Sequence, residues 1–256
     1  MTNEVTRESK RRWDLFAEDY AKRTSKFGDL HKEVLLTPTI LSLLEDVEGQ
    51  KILDAGCGEG YFSRLLAEKG AYVTAVDFSD RMLDIARERT SNDAAIDYRQ
   101  ADLEDLNELE SGLFDQVMSN MAIQDVAHLD AVLGEIHRVL KPGGTFVFSI
   151  LHPCFVTPES GWHRDEQGNG LHWKTDHYFE EGQFEQRFGI KERVFGFHRT
   201  LTTYMNALFS TGFTLETLIE PAPSEEYLEK YPDFKEDLRA PDFIVLRQKT
   251  LASISG

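Results

Sequence analysis

The sequence has few cysteines and no long apolar run, and each shortage excludes a class of protein. Only two of its 256 residues are cysteines, Cys57 and Cys154, too few for a disulfide framework or a thiolate metal site. It has no run of about 18 apolar residues, and residues 1–12 are polar and charged, so neither a membrane-spanning helix nor a signal peptide is predicted. A reducing cytosol suits such a chain, and we expect a cytoplasmic protein.

Positive charge is also scarce, since 28 basic residues face 45 acidic ones and the formal net charge is −17. Nucleic-acid affinity comes largely from Lys and Arg that neutralise phosphates, so this balance disfavours nucleic acid and anionic membranes as partners. Hydrophobic residues make up 41% of the chain, which is ordinary for a folded protein. The length predicts one large domain or a domain with an inserted subdomain. We expect a monomer or a homodimer, although the length does not distinguish them.

Short β-rich runs alternate with longer runs of helical period between residues 51 and 150. This alternation predicts a parallel sheet with helices on its faces. Two helices precede it, one containing Trp13–Tyr20 and one opening at Thr37-Pro38, because proline suits the first helical position. The predicted strands are residues 52–55, 72–76, 96–101, 114–119, 145–150, 213–218 and 243–246.

Residues 151–197 interrupt this alternation with glycines, aromatic residues and four of the eight histidines. So long a segment inside a compact domain is usually a functional lid or a small inserted subdomain. His163, His172 and His177 match no familiar spacing of metal ligands, and no cysteine joins them. No metal site is therefore expected.

A glycine-rich turn, Asp54-Ala55-Gly56-Cys57-Gly58-Glu59-Gly60, lies where the first strand gives way to a helix. Glycines allow a sharp turn and a close approach of the backbone to a ligand. Asp77 ends the next strand, where a carboxylate can accept both hydroxyls of a ribose. Dinucleotide sites use G-x-G-x-x-G against a diphosphate, whereas this turn is G-x-G-x-G preceded by an aspartate. A carboxylate there favours a ligand with a positive amino group and disfavours a nicotinamide oxidoreductase.

This turn, then Val76-Asp77-Phe78-Ser79, then Leu140-Lys141-Pro142-Gly143-Gly144, resemble the successive motifs of class I S-adenosylmethionine-dependent methyltransferases. The resemblance covers roughly residues 10–150 and implies S-adenosylmethionine as cofactor. It also implies the Rossmann-like α/β fold of that class, a seven-stranded, mostly parallel sheet with an antiparallel last strand and helices on both faces. The implied regions are a lid of N-terminal helices (1–48), a cofactor-binding domain (49–150 and 198–250) and an inserted substrate-binding subdomain after strand five (151–197).

The resemblance also implies which residues meet the cofactor. Gly56 and Gly58 would face its methionine part, Asp54 would help hold the amino group, and Asp77 would bind the ribose. The other implied contacts are Phe78 and Met82 flanking the adenine, Asp102 at the adenine amino group, Leu103 packing beside it, the backbone of Asn120 and Met121 at the methionine amino group, and Tyr20 closing over the cofactor. Packing within the protein is the alternative role for Phe78, Met82, Leu103 and Tyr20.

Two histidines are candidates for contact with the methyl acceptor. His152 follows the fifth strand directly, at the edge of the sheet where ligands bind in open α/β folds. His198 lies directly after the inserted segment and just before a predicted helix. An imidazole suits deprotonation of a hydroxyl or amine near neutral pH, and a hydrogen-bonded structural role is the alternative for each.

The aromatic insertion and the acidic composition favour a small molecule, methylated on O, N or C, as acceptor. The chain resembles the broad group that includes quinone-biosynthesis and secondary-metabolite methyltransferases. An RNA or protein methyltransferase is an alternative, although no basic surface or appended recognition module is visible. A non-catalytic module that binds S-adenosylmethionine is another.

Overall fold

The computed structural model describes residues 4–44, 46–187 and 193–251. Its strands are β1 (Lys51–Ala55), β2 (Tyr72–Asp77), β3 (Ile96–Gln100), β4 (Phe114–Asn120), β5 (Leu140–Leu151), β6 (Gly161–Arg164), β7 (Gly170–Lys174), β8 (Gly182–Arg187), β9 (Arg193–His198), β10 (Phe213–Ile219) and β11 (Phe243–Thr250). Its α-helices are α1 (Glu4–Ala21), α2 (Thr37–Leu44), α3 (Tyr61–Glu68), α4 (Asp80–Glu88), α5 (Leu129–Val139), α6 (Leu201–Thr211) and α7 (Glu225–Lys230).

Seven of these strands form one sheet in the order β10-β11-β5-β4-β1-β2-β3. The strands from β1 to β5 pair in parallel, and β11 is antiparallel to both β5 and β10. One face packs against α5 and α6, and the other packs against α2 and α3. The Rossmann-like fold with an antiparallel last strand is confirmed.

The helix before β1 is preceded by a π-helical turn that the sequence pattern does not indicate. α2 begins at Thr37 as predicted, but it continues from a π-helical turn, Lys32–Leu36. The Thr37 amide donates to the Lys32 carbonyl, and Pro38 has no amide hydrogen to continue an α-helical pattern. Because π turns rotate side chains out of the α-helical register, Lys32 is placed differently from the residues of a regular helix.

The strand after α5 is longer than predicted. β5 begins at Leu140 rather than Thr145, because Leu140 already pairs with Phe114 of β4 before a shift of register. The Lys141-Pro142-Gly143-Gly144 segment therefore ends the helix, as expected, while belonging to the strand.

The inserted segment folds into two hairpins on different parts of the molecule. In the β6–β7 hairpin, Arg164 donates to both carboxyl oxygens of Glu236, at 2.7 and 2.6 Å. The β8–β9 hairpin lies beside α1, where Arg12 donates to Glu185 at 2.9 Å and its guanidinium lies 4.1 Å from the ring centre of Phe195. The second hairpin thus packs on the N-terminal helix.

No helix within the described ranges combines the length and the apolar character needed to cross a membrane.

Candidate active site

A cavity lies at the carboxyl ends of β1, β2 and β4, where α1 forms part of its wall. From α1 it is lined by Val5, Thr6, Ser9, Trp13 and Tyr20. All eleven residues predicted to meet the cofactor, from Tyr20 through Asp54, Gly56, Gly58, Asp77, Phe78, Met82, Asp102, Leu103 and Asn120 to Met121, line it as well. The structure therefore brings together residues that the sequence spreads over a hundred positions.

Two glycines of the turn after β1 have positive φ for different physical reasons. A Cβ on Gly56 (φ 82°) would lie 2.4 Å from the Cβ of Ala122, so close packing against the segment after β4 requires glycine. A Cβ on Gly58 (φ 54°) would meet no protein atom within 4 Å. Because Gly58 lines the cavity, this open space is available to a ligand that approaches the backbone.

Asp54, near the end of β1, is almost fully buried, with 1% of its surface exposed. Ser63 of α3 donates a hydrogen bond of 2.5 Å to its Oδ2. Burial raises the pKa of Asp54 to about 7, and the negative charges of Asp77 and Glu59 add to the effect. A cationic ligand group would reverse this balance and stabilise the ionised carboxylate.

Asp77, at the end of β2, connects the glycine-rich turn to α4. Its Oδ2 accepts from the Gly58 amide at 2.8 Å, and its Oδ1 accepts from the Ser79 amide at 2.9 Å. Ser79 in turn caps α4 by accepting from the Met82 amide at 3.1 Å. Burial raises the pKa of Asp77 to about 6, although both backbone hydrogen bonds oppose this.

The side of the cavity beyond β2 and β3 is mostly apolar. Phe78, Met82 and Leu103 line it, and Met82 and Leu103 are also buried in core clusters. Contact with a ligand and packing within the protein are thus compatible for these residues. Asp102, half-buried, accepts from the Glu104 amide at 3.0 Å.

The end of β4 is held by a chain of polar contacts. Asn120 donates to the Tyr61 hydroxyl at 2.5 Å and accepts from the Ser149 hydroxyl at 2.6 Å. Met121 has φ 60°, and its amide lies 3.1 Å from both the carbonyl and the hydroxyl oxygen of Ser149. Such a backbone conformation costs energy in a residue other than glycine and is often found at ligand sites.

Lys32 is a cavity residue that sequence reasoning missed. Its ammonium donates to the Tyr20 hydroxyl and lies 4.8 Å from the ring centre of Tyr20 and 5.6 Å from that of Tyr61. Burial acts to lower the pKa of Lys32, but the oxygens of Tyr20, Tyr61 and Asp29 outweigh it and raise that pKa. Among the described residues that line the cavity, Lys32 is the one lysine or arginine.

Asp125 is a second missed residue. It ends the short 3₁₀ turn Ile123–Asp125 after β4, lines the cavity, and accepts at Oδ1 from the Gln186 side chain of β8 at 2.7 Å. Burial raises its pKa to about 8, against the opposing effects of Gln186, Lys32 and Arg199. Its place beyond the carboxyl end of a parallel strand is a signal that could have identified it.

The two candidate histidines are not among the described residues that line the cavity. His152 accepts at Nδ1 from the Cys154 amide at 3.2 Å, and its Nε2 lies 2.8 Å from Oε1 of Glu220. The Nε2 of His198 lies 2.8 Å from the Tyr178 carbonyl oxygen. Both are buried and hydrogen-bonded to neighbours, which is the structural alternative for each.

The inserted segment contributes Phe197 to the described lining of the cavity. Within the described ranges, His163, His172 and His177 form no group of three converging ligands; His163 instead faces His172 across the β6–β7 hairpin.

Comparison with known proteins gives the same identification as the fold and the cavity. A family model described as a methyltransferase domain matches residues 53–148. An uncharacterized protein of Haemophilus influenzae is 30% identical over 243 residues, which are 92% of this chain and 94% of that protein. The malonyl-[acyl-carrier protein] O-methyltransferase of Serratia marcescens is 44% identical over 103 residues, which are 40% of this chain and 39% of that protein.

A solved structure of an S-adenosylmethionine-dependent methyltransferase from Mesorhizobium loti superimposes with a TM-score of 0.75. It is 35% identical, and the match covers 83% of this chain and 96% of that one. The motifs after β1 and β2, the sheet order and these similarities lead to one conclusion: the chain belongs to the S-adenosylmethionine-dependent methyltransferases and uses S-adenosylmethionine as its methyl donor.

Proposed function

We propose that the chain methylates O, N or C of a small molecule and that the cavity described above holds S-adenosylmethionine. The observation that carries this proposal is the open space at Gly58, flanked by the carboxyl groups of Asp54 and Asp77. A ligand with a ribose and a positive amino group fits that set of donors and acceptors. S-adenosylmethionine supplies an electrophilic methyl group when it is bound.

Each part of the cofactor has a proposed set of partners in the cavity. Asp77 would accept from the ribose hydroxyls, and Asp54 would bind the ammonium with help from the backbone of Asn120 and Met121. Lys32 would pair with the carboxylate, since it is the cation of the described lining. The adenine would lie among Phe78, Met82, Asp102 and Leu103.

The chain's own contribution is to orient the reactants and to exclude water. Tyr20 and Trp13 of α1 line the cavity, which supports a lid role for the N-terminal helices. Phe197 and the contact of Gln186 with Asp125 support a substrate-binding role for the β8–β9 part of the insertion. Orientation and desolvation alone can supply a large part of the acceleration of a displacement reaction.

The similarity to known proteins identifies the methyl donor but not the methyl acceptor. The match to the malonyl-[acyl-carrier protein] O-methyltransferase of S. marcescens spans about two-fifths of that protein, so its acceptor is not transferred to this chain. The excess of acidic residues favours a small molecule over nucleic acid. We propose a cytoplasmic enzyme, in keeping with the low cysteine content. We further propose that it is a monomer or a homodimer.

Binding of two related ligands tests this assignment. Titration calorimetry should show one S-adenosylhomocysteine bound per chain, with affinity lower by about thirtyfold or more in Lys32→Met because one partner of a buried ion pair is removed. Methylthioadenosine, which lacks the amino-acid part, should bind both proteins alike. Lys26→Met is the matched control, since Lys26 pairs with Glu68 on the exposed surface. Failure of the unmodified chain to bind S-adenosylhomocysteine would refute the proposal.

A further inference from the structure

Asp125 has no role in the cofactor contacts proposed above, yet it lines the same cavity. One of its carboxyl oxygens, Oδ1, is held by Gln186 at 2.7 Å. The other, Oδ2, has no hydrogen-bond partner among the residues that the structure describes. Asp125 is half-buried and lines the cavity, so this second oxygen is open to a hydrogen-bond donor on a ligand.

The orientation of Asp125 is built into the β8–β9 hairpin. Gln186 reaches Asp125 across Gly196 of β9, where a Cβ would lie 2.3 Å from Nε2 of Gln186. A side chain at position 196 would therefore displace the amide that holds Oδ1. Gln186 is thus a positioning residue, and the insertion fixes a side chain of the central domain.

A second polar group in the cavity is also unpartnered. Ser9 of α1 is 2% exposed and lines the cavity, and its hydroxyl has no hydrogen-bond partner within the described part of the chain. The lining that α1 and β9 contribute also includes the apolar side chains of Val5, Trp13 and Phe197. This part of the cavity suits a molecule with an apolar body and few polar atoms.

We propose that Asp125 receives the methyl acceptor and that the acceptor is an uncharged molecule with an apolar body and a hydroxyl group, which donates to Oδ2 of Asp125. The inference rests on the proposed function. A cationic amine fits less well, because the positive charges of Lys32 and Arg199 already act on Asp125. Arg199 is buried and donates to the carbonyls of Val126 and Ala127, at 2.6 and 3.0 Å, so its charge is fixed beside this turn.

The reaction balances with Asp125 as the proton acceptor. The O–H bond of the acceptor breaks and its proton passes to Oδ2. The electron pair left on the hydroxyl oxygen of the acceptor forms the new bond to the methyl carbon. The electron pair of the broken carbon–sulfur bond stays on the sulfur. No oxidant or reductant is needed.

The titration of Asp125 is tested in a pH range in which the charged and titratable groups that face it keep their charge. These groups are Lys32 from the π turn, Arg199 after β9 and Tyr204 of α6. The oxygens of Tyr20, Tyr61 and Asp29 raise the pKa of Lys32, and burial raises the pKa of Tyr204, so neither group changes charge between pH 6.5 and pH 8.5. Asp54, in the same cavity, has a pKa of about 7 and also titrates in this range, so a change reports Asp125 only where Asp125→Asn abolishes it.

The test uses the full chain saturated with S-adenosylhomocysteine and two probes of similar shape. Phenol carries one hydroxyl group and toluene has none. We expect phenol to bind more tightly than toluene, with a preference that grows about tenfold from pH 6.5 to pH 8.5 as Asp125 becomes a carboxylate. In Asp125→Asn, the preference for phenol over toluene should be small and equal at both pH values, because an amide does not ionise.

The contribution of Gln186 is tested by comparing two leucine variants of β8. Gln186→Leu should lower the affinity for phenol several-fold and leave that for S-adenosylhomocysteine unchanged. Gln183→Leu, an exposed position on the same strand, should change neither. Phenol that fails to bind, or a pH-dependent preference that survives in Asp125→Asn, would overturn the inference. Loss of S-adenosylhomocysteine binding in the unmodified chain would instead overturn the proposed function.

Discussion

At the scale of single residues, the site is defined by carboxyl groups buried in a cavity. Burial raises the pKa of Asp54 to about 7, that of Asp77 to about 6 and that of Asp125 to about 8. The sequence pointed to Asp54 and Asp77, which both line this cavity, because each lies at or next to the end of a strand that precedes a recognisable turn. It did not identify Lys32, because the π turn that places this side chain leaves no periodic signal.

Binding of S-adenosylmethionine should release protons near pH 6.5. Asp54 is largely protonated in the free protein at this pH and would ionise next to the ligand's ammonium. Affinity should therefore increase from pH 6 to pH 7 and level off above the pKa of about 7. Calorimetry in buffers with different ionisation enthalpies measures the released protons, and Asp54→Asn should release fewer. Equal proton release by both proteins contradicts the role given to Asp54.

A Cβ at position 58 should obstruct the ligand more than it destabilises the fold. Gly58→Ala adds about 1–2 kcal/mol of backbone strain at φ 54° and places a methyl group in the open part of the cavity. The affinity for S-adenosylhomocysteine should fall tenfold or more. Gly112→Ala is a matched control, because Gly112 has φ 64° and equally open surroundings outside the lining of the cavity. Equal affinities of the two variants would show that Gly58 does not face the ligand.

At the scale of elements, the strands and helices of the central domain were predictable and the insertion was not. β1 to β4 lie within one residue of the predicted ranges. β1 and β2 are largely buried, as expected for strands inside a parallel sheet, whereas β3 is mostly exposed. β6 to β9 alternate glycine, aromatic and charged residues, which gives no single exposed face. Their hairpins depend on contacts with distant segments, such as Arg164 with Glu236, which a local pattern does not contain.

The attachment of α1 to α4 should control access to the cavity. Asp14 of α1 accepts from the Ser79 hydroxyl at 2.6 Å and from the Arg81 amide at 3.3 Å. Asp14→Ala removes these contacts, so amides of residues 4–21 should exchange with deuterium roughly fivefold faster, as expected for a loss of about 1 kcal/mol. Asp19→Ala is the control, since Asp19 contacts Lys22 near the end of the same helix. Unchanged exchange in Asp14→Ala would mean that other contacts hold α1.

At the scale of the whole molecule, the buried carboxyl groups make stability depend on pH. A carboxyl whose pKa is higher in the folded than in the unfolded state binds more protons when folded. Its contribution is fully present below the unfolded value and is lost as the pH rises through the folded value. For Asp125 this window extends from about pH 4 to pH 8.

Relative to the unmodified chain, the free energy of unfolding of Asp125→Asn should therefore be higher at high pH than at low pH. The difference in free energy of unfolding between variant and unmodified chain should change by more than about 1 kcal/mol between pH 5 and pH 8.5 in favour of the variant. Urea denaturation of the ligand-free proteins at both pH values measures it. A difference that does not change with pH would show that Asp125 has an ordinary pKa.

A crystal structure of the complex with S-adenosylhomocysteine tests the central claim most directly. We predict the ribose hydroxyls within hydrogen-bond distance of Asp77, the amino-acid part between Asp54 and Lys32, and the sulfur facing the part of the cavity that contains Asp125. A ligand bound outside this cavity, or one with its adenine next to Lys32, would contradict the account.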